Sequence, residues 1–228
     1  MDDRDLLREA TTALVRTVDT LDDAGLRAAS ALPGWDRAQV VAHLALNAEG
    51  LAGSVDAAGR GEHCPQYRTG TAREDDIDEL ASAPAEELRA RFLASTTLLA
   101  EALDAVQGDA WQARLERDPG GATFLVAEVP RKRIAEVVLH HLDLDAGARA
   151  DDVSPVAAAA VVDALAVRLS RLGPVQAHAV DLDRTWPQPG EGPVVSGTAV
   201  ELARWLSGRT PVVGLASTSG VVPAMKPW

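Results

Sequence analysis

The sequence predicts an α+β protein, a four-helix bundle over residues 1–150 followed by a small α+β domain over residues 151–228. Three observations carry this reading. Apolar residues recur at spacings near 3.6 in four long segments of the first part. Polar connections with glycine, proline and acidic residues separate those segments. Beyond a turn-rich stretch at 148–154, short strand-like runs alternate with two helices.

The first helix is expected over residues 3–29, with Leu6, Leu7, Ala10, Leu14, Val18 and Leu21 as its apolar stripe. Residues 30–36 break it, punctuated by Pro33 and Gly34, and Asp36 is placed to cap the next helix. That second helix spans about 37–58, with Val40, Val41, Leu44, Ala48 and Leu51 on its apolar arc. Residues 59–83 read as a long crossover loop with a helical turn near 72–80. Loops of that length are uncommon in compact domains and often functional. A third helix follows over 84–106, carrying Leu88, Phe92, Leu99 and Leu103. Residues 107–130 are irregular, with a short helix expected near 124–128. Pro130 suits the first turn of a fourth helix, and Gly147 its C-terminal cap. The second part should hold a helix over 155–172, strands at 176–180 and 194–196, a helix over 198–207 and a strand at 212–217.

Composition excludes several classes of function. Of 228 residues, 46% are hydrophobic and 25% charged, so disorder is not the dominant state. No period of 20–50 residues recurs, which excludes a repeat array. Acidic residues outnumber basic ones 34 to 22, and the net charge of −12 repels phosphate backbones. The single cysteine, Cys64, excludes an intramolecular disulfide framework and a Cys-rich zinc site. The first ten residues lack an apolar signal core, and no apolar run approaches the roughly 20 residues of a membrane span. A cytoplasmic monomer, free of nucleic acid and membrane, is the expectation.

Five histidines are the residues most suited to chemistry: His43, His63, His140, His141 and His178. Glu136 and His140 are four apart and project from one helix face. His141 lies about 140° from Glu136 around the axis and shares a face with Ile134 and Val138. His43 lies inside the second helix, four residues before Asn47. Two imidazoles and one carboxylate are the protein ligands of a catalytic zinc site with an open fourth position, and bundle interiors commonly house such sites. The ordinary reading of the same spacing is a surface Glu/His pair plus a core histidine, and spacing alone leaves both open. Cys64 beside His63 has a nucleophile's composition, but adjacent residues rarely attain the geometry. No Gly-x-Ser-x-Gly elbow or phosphate-binding glycine loop occurs. The run Arg131-Lys132-Arg133 reads as a solvated patch, with an anion clamp as the functional alternative. Arg209 follows a short helix and reads as a surface residue, or as a fork for a carboxylate.

The motifs resemble a known family. Leu32-Pro33-Gly34-Trp35-Asp36-Arg37, then Val41-Ala42-His43-Leu44-Ala45 and Asn47-Ala48, are similar to segments of the mycothiol-dependent maleylpyruvate isomerases. That family falls within the DinB/YfiT-like superfamily of metal-binding four-helix bundles. Pro65-Gln66-Tyr67, Ala72-Arg73 and the acidic residues 74–76 resemble its crossover loop. Glu136-Val137-Val138-Leu139-His140 and Leu142-Asp143-Leu144 resemble its fourth helix, and Gly208-Arg209 its C-terminal domain. The resemblance runs in order through nearly the whole chain. It implies zinc on His43, Glu136 and His140, with Arg209 in the active site binding an anionic group. It implies mycothiol, a sugar thiol, as cosubstrate, and cis–trans isomerisation of maleylpyruvate to fumarylpyruvate by thiolate addition and elimination. Asn47, one turn beyond His43, is placed either to orient a ligand or to pack. A mycothiol S-transferase that conjugates electrophiles, or a metal-stabilised binding module without catalysis, would share much of this pattern. His141 and the segment before Pro130 depart from it.

Overall fold

The computed structural model describes residues 2–209 and 213–228. The chain divides into two compact units. One holds Leu7–Gly147, and the other holds Ala148–Trp228 with the first residues of the chain.

The first unit is helical. Its long helices are α1 (Asp3–Asp19), α3 (Arg37–Gly59), α5 (Ala85–Ala105) and α6 (Val129–Asp143), joined by short α2 (Asp23–Arg27) and by α4 (Gly70–Ala81). α3 is apolar nearly all round, as an axial helix must be. It packs on α5, α4, α6 and α2, and the five residues expected on its apolar arc are buried. The expected helix over 3–29 is two helices. The Thr20 hydroxyl bonds back to the Thr17 carbonyl, and the Asp22 carboxylate accepts from Gly25 N at 2.7 Å to start α2. The crossover holds three full turns of helix rather than one. Thr69 caps α4 by accepting from Ala72 N at 3.0 Å, and Ile77 and Leu80 anchor it in the core.

The irregular stretch after α5 conceals a hairpin of β1 (Arg114–Glu116) and β2 (Thr123–Leu125), with buried Leu115 and Phe124 paired across it. Strands of three residues are too short to show alternation. α6 ends earlier than Gly147, because Asp145 takes the left-handed conformation at φ 49°.

The second unit is α+β. α7 (Pro155–Leu165) continues as a 3₁₀ turn to Leu172. A four-stranded sheet follows, in the order β4 (Arg184–Trp186), β3 (Gln176–Ala179), β5 (Val194–Gly197), β6 (Ala216–Ser217). β3 pairs with β4 and β5 with β6 antiparallel, while β3 and β5 run parallel. α8 (Ala199–Leu206) opens with a capping box of Thr198 and Glu201 and packs on α7. β4 was not expected; its one buried residue, Trp186, is pinned by Nε1–H donation to Asp163 at 2.7 Å. Of the strand expected at 212–217, only Ala216–Ser217 is strand among the described residues; Val213–Leu215 are not, with Gly214 at φ 93°, and Val212 lies outside the described residues. No described helix is long and apolar enough to cross a membrane.

Candidate metal centre

Residues 32–37 do the local work of placing α3. Gly34 turns the chain at φ 81°, a conformation that favours glycine. Asp36 and Gln39 form a reciprocal capping box at the start of the helix. The Arg37 guanidinium reaches across to the end of α6, donating to the carbonyls of Leu144 at 2.6 Å and Asp145 at 2.5 Å. Those carbonyls have no partner within their own helix, so one side chain caps α6 and joins it to α3. Trp35 meets the His43 ring edge-on, with centroids 5.8 Å apart.

This joint brings His43 on α3 against Glu136 and His140 on α6. Both imidazole Nε2 atoms lie 3.2 Å from the same carboxylate oxygen, Glu136 Oε2. The two rings meet edge to face at 4.8 Å. His43 and His140 are buried, at 4% and 7% exposure, and Glu136 is partly open. One donor atom from each residue falls within 4.8 Å of the others. Tetrahedral zinc ligands at about 2.0–2.1 Å from their ion stand about 3.3 Å apart, so the two nitrogen–carboxylate spacings suit such an ion.

Residues 7–145 match the profile of the mycothiol maleylpyruvate isomerase N-terminal domain. The chain belongs to the mycothiol-dependent maleylpyruvate isomerase family. Two crystal structures of a mycothiol-dependent maleylpyruvate isomerase, one of them a histidine-to-alanine mutant, are similar to this chain throughout. Each is 27% identical, with a TM-score of 0.85, covering 99% of this chain and 95% of that one. No curated protein matches the chain.

In this family member further side chains contact the outer nitrogens of the two candidate histidine ligands. Asp143 Oδ2 lies 2.8 Å from His140 Nδ1, and Arg73 Nη2 lies 3.0 Å from His43 Nδ1. The acceptor Asp143 favours a proton on His140 Nδ1, which leaves Nε2 for a metal, whereas Arg73 can only donate and so sets the neutral His43 ring with its proton on Nε2, towards Glu136. Burial pushes the His43 pKa down to about 4, only partly offset by Glu136. Burial also disfavours charge on His140, but the bonds to Asp143 and Glu136 outweigh it and raise the pKa. Glu136 is held well below the ordinary carboxylate range; burial opposes ionisation, and the bonds to His140 and His43 prevail.

Asn47 lies beside the centre and links two side chains. Its Oδ1 accepts from Arg133 Nη1 at 2.6 Å, and its Nδ2 donates to the Tyr67 hydroxyl at 3.1 Å. Arg133 corrects the reading of the Arg131-Lys132-Arg133 run. It is neither solvated nor clamping an anion, but 2% exposed and bonded to Asn47 and to the Leu44 carbonyl at 2.9 Å. Burial lowers its pKa to about 10, leaving it charged at neutral pH. Its place three residues before Glu136, on the same helix face, was the available signal. Lys132 lies over the Phe124 ring, 5.0 Å from its centroid. Tyr67 carried no periodic signal. Its backbone, like that of Gln66, bonds to the hairpin: Gln66 N donates to Glu116 O at 2.9 Å, and Tyr67 N to Arg117 O at 2.8 Å.

The remaining candidates make other contacts. His141 turns to α1 and meets Thr17 Oγ1 at 2.8 Å. Cys64 is exposed, and exposed His63 pairs with Glu116 at 3.1 Å. Arg209 belongs to the α+β unit. It follows Gly208 at the end of α8, with its guanidinium 6.0 Å from the Trp228 ring centroid.

Proposed function

We propose that this protein catalyses mycothiol-dependent cis–trans isomerisation of maleylpyruvate to fumarylpyruvate. The observation that carries the reading is the convergence of His43, Glu136 and His140 from two helices in a chain of this family. The three residues would hold zinc, which when bound supplies a Lewis acid that keeps a thiol ionised near neutral pH.

The maleylpyruvate double bond is conjugated with carbonyl groups. The mycothiol thiolate adds to one alkene carbon, and the electron pair moves onto a carbonyl oxygen. The former double bond, now single, rotates. The pair then returns and expels the thiolate, leaving the trans isomer with no net redox change or hydrolysis. His43 and His140 present Nε2, and Asp143 holds the outer nitrogen of His140. Asn47 keeps Tyr67 beside the centre. Arg209 would bind an anionic group and stabilise developing enolate charge. A thiol cosubstrate and exposed Cys64 both fit a reducing, cytoplasmic setting.

The test follows maleylpyruvate in the presence and absence of mycothiol. The reading expects fumarylpyruvate only with the thiol, which is regenerated. Accumulation of a stable thioether would assign the site to an S-transferase, and no reaction with either thiol or substrate would overturn the enzymatic reading.

A further inference from the structure

Arg73, whose Nη2 meets His43, also lines a cavity of about 230 Å³ together with Tyr67. Three arginines border this cavity, and two are committed to carboxylates. Arg91 grips Glu49 through two bonds of 2.8 and 2.9 Å. Arg68 donates to Asp76 at 3.0 and 3.2 Å. Arg73 differs. Among the described residues it pairs with no carboxylate, and its Nε is buried without a hydrogen-bond partner. A buried N–H left unmade is costly, and groups of this kind call for an explanation. Arginine presents its N–H groups as a planar fork that fits a carboxylate.

Tyr67 completes the wall. The Arg73 guanidinium lies 5.6 Å from the Tyr67 ring centroid, within cation–π range. The Tyr67 hydroxyl accepts from Asn47, itself held by buried Arg133. Burial, the largest influence on the phenol, makes it keep its proton. A hydroxyl has one proton to give, so Tyr67 retains a donor beside the guanidinium.

We infer that Arg73, backed by Tyr67, is the substrate-anion subsite of the metal centre, taking a carboxylate with the fork and a neighbouring carbonyl oxygen with the phenol. The acceptor class is thereby a keto acid or dicarboxylic acid rather than a neutral electrophile. The reaction served rests on the isomerase reading; the anion subsite does not.

The test uses the zinc-loaded full chain and maleate as the probe, titrated by calorimetry into wild type, Arg73→Ala, Arg73→Lys and Tyr67→Phe. Zinc content and circular dichroism are measured on the same samples. Arg73→Ala is expected to keep its zinc and helicity and to bind maleate about tenfold or more weakly, the ratio one charge-assisted hydrogen bond supplies. Arg73→Lys, which keeps the charge without the fork, should fall between, and Tyr67→Phe should weaken binding less. In turnover, Arg73→Ala should raise KM for maleylpyruvate by a larger factor than KM for neutral dimethyl maleate, the difference between the two reading the lost carboxylate contact. Maleate binding equal to wild type in Arg73→Ala, or no maleate binding by wild type, would overturn the subsite. Loss of zinc from Arg73→Ala would also overturn it and assign the residue to holding His43. Should wild type leave maleylpyruvate untouched, the isomerase reading fails while the maleate titration still decides the subsite.

Discussion

His43 and His140 face one carboxylate oxygen, yet their surroundings drive their proton affinities apart. His43 stays neutral down to about pH 4; Arg73 donates to its Nδ1, so the neutral ring carries its proton on Nε2, and a metal there takes that position only as the proton moves to Nδ1 and Arg73 gives up its contact. His140 has its pKa raised above the ordinary imidazole value by Asp143 and Glu136, against the effect of burial. A ligating imidazole must be neutral, so at any pH below the raised pKa of His140 metal uptake expels its proton. The sign follows: zinc binding weakens as pH falls, approaching about tenfold per pH unit for one displaced proton, and protons appear in the buffer on binding. Calorimetry in buffers of different ionisation enthalpy reads this directly; a pH-independent affinity would contradict it. Arg133 acts through bonding rather than titration. Arg133→Met would leave Asn47 Oδ1 without its buried donor, while the Leu44 carbonyl keeps its bond within α3. The expected loss is about 1–3 kcal/mol in urea denaturation, and wild-type stability would show that water replaces the guanidinium. Arg209→Ala should retain full zinc and lose turnover; wild-type kinetics would remove Arg209 from the reaction.

At the scale of elements, α3 and its entry loop matter most. Asp36→Ala removes a capping box and should cost about 1 kcal/mol. Asp36→Asn, which can still cap, should cost clearly less, and equal losses would show that the cap is not the reason for Asp36. Gly50 is required because the crossover passes directly over α3. A Cβ there would meet the Gln66 carbonyl, which is backbone and cannot swing aside. Gly50→Ala should therefore displace the Gln66–Tyr67 segment and destabilise the fold by about 1–3 kcal/mol. An unchanged melting temperature would contradict that packing. These elements also explain what was legible beforehand. The i,i+4 spacing of Glu136 and His140 and the cap at Asp36 are local signals, written in residues a turn apart. Tyr67, Asn47 and Arg133 meet through 20 to 86 residues of intervening chain, and no periodicity records such a meeting. The hairpin at 114–125 escaped because three-residue strands are shorter than any alternation, and the full length of α4 because its acidic residues masked Ile77 and Leu80.

On the scale of the whole molecule, the helical unit alone contains the three candidate ligands and the side chains that orient them, and the family match spans the same stretch. A metal held only by the folded chain stabilises it by mass action. Chelation should thus lower the melting temperature of wild type and leave that of His43→Ala unchanged. The most direct measurement is elemental analysis of wild type and His43→Ala after zinc loading and exhaustive dialysis, each sample then assayed for mycothiol-dependent formation of fumarylpyruvate. About one zinc per chain with activity in wild type, and the loss of both in a fully helical His43→Ala, is the predicted result. A His43→Ala protein that retains its zinc would contradict the assignment of the centre.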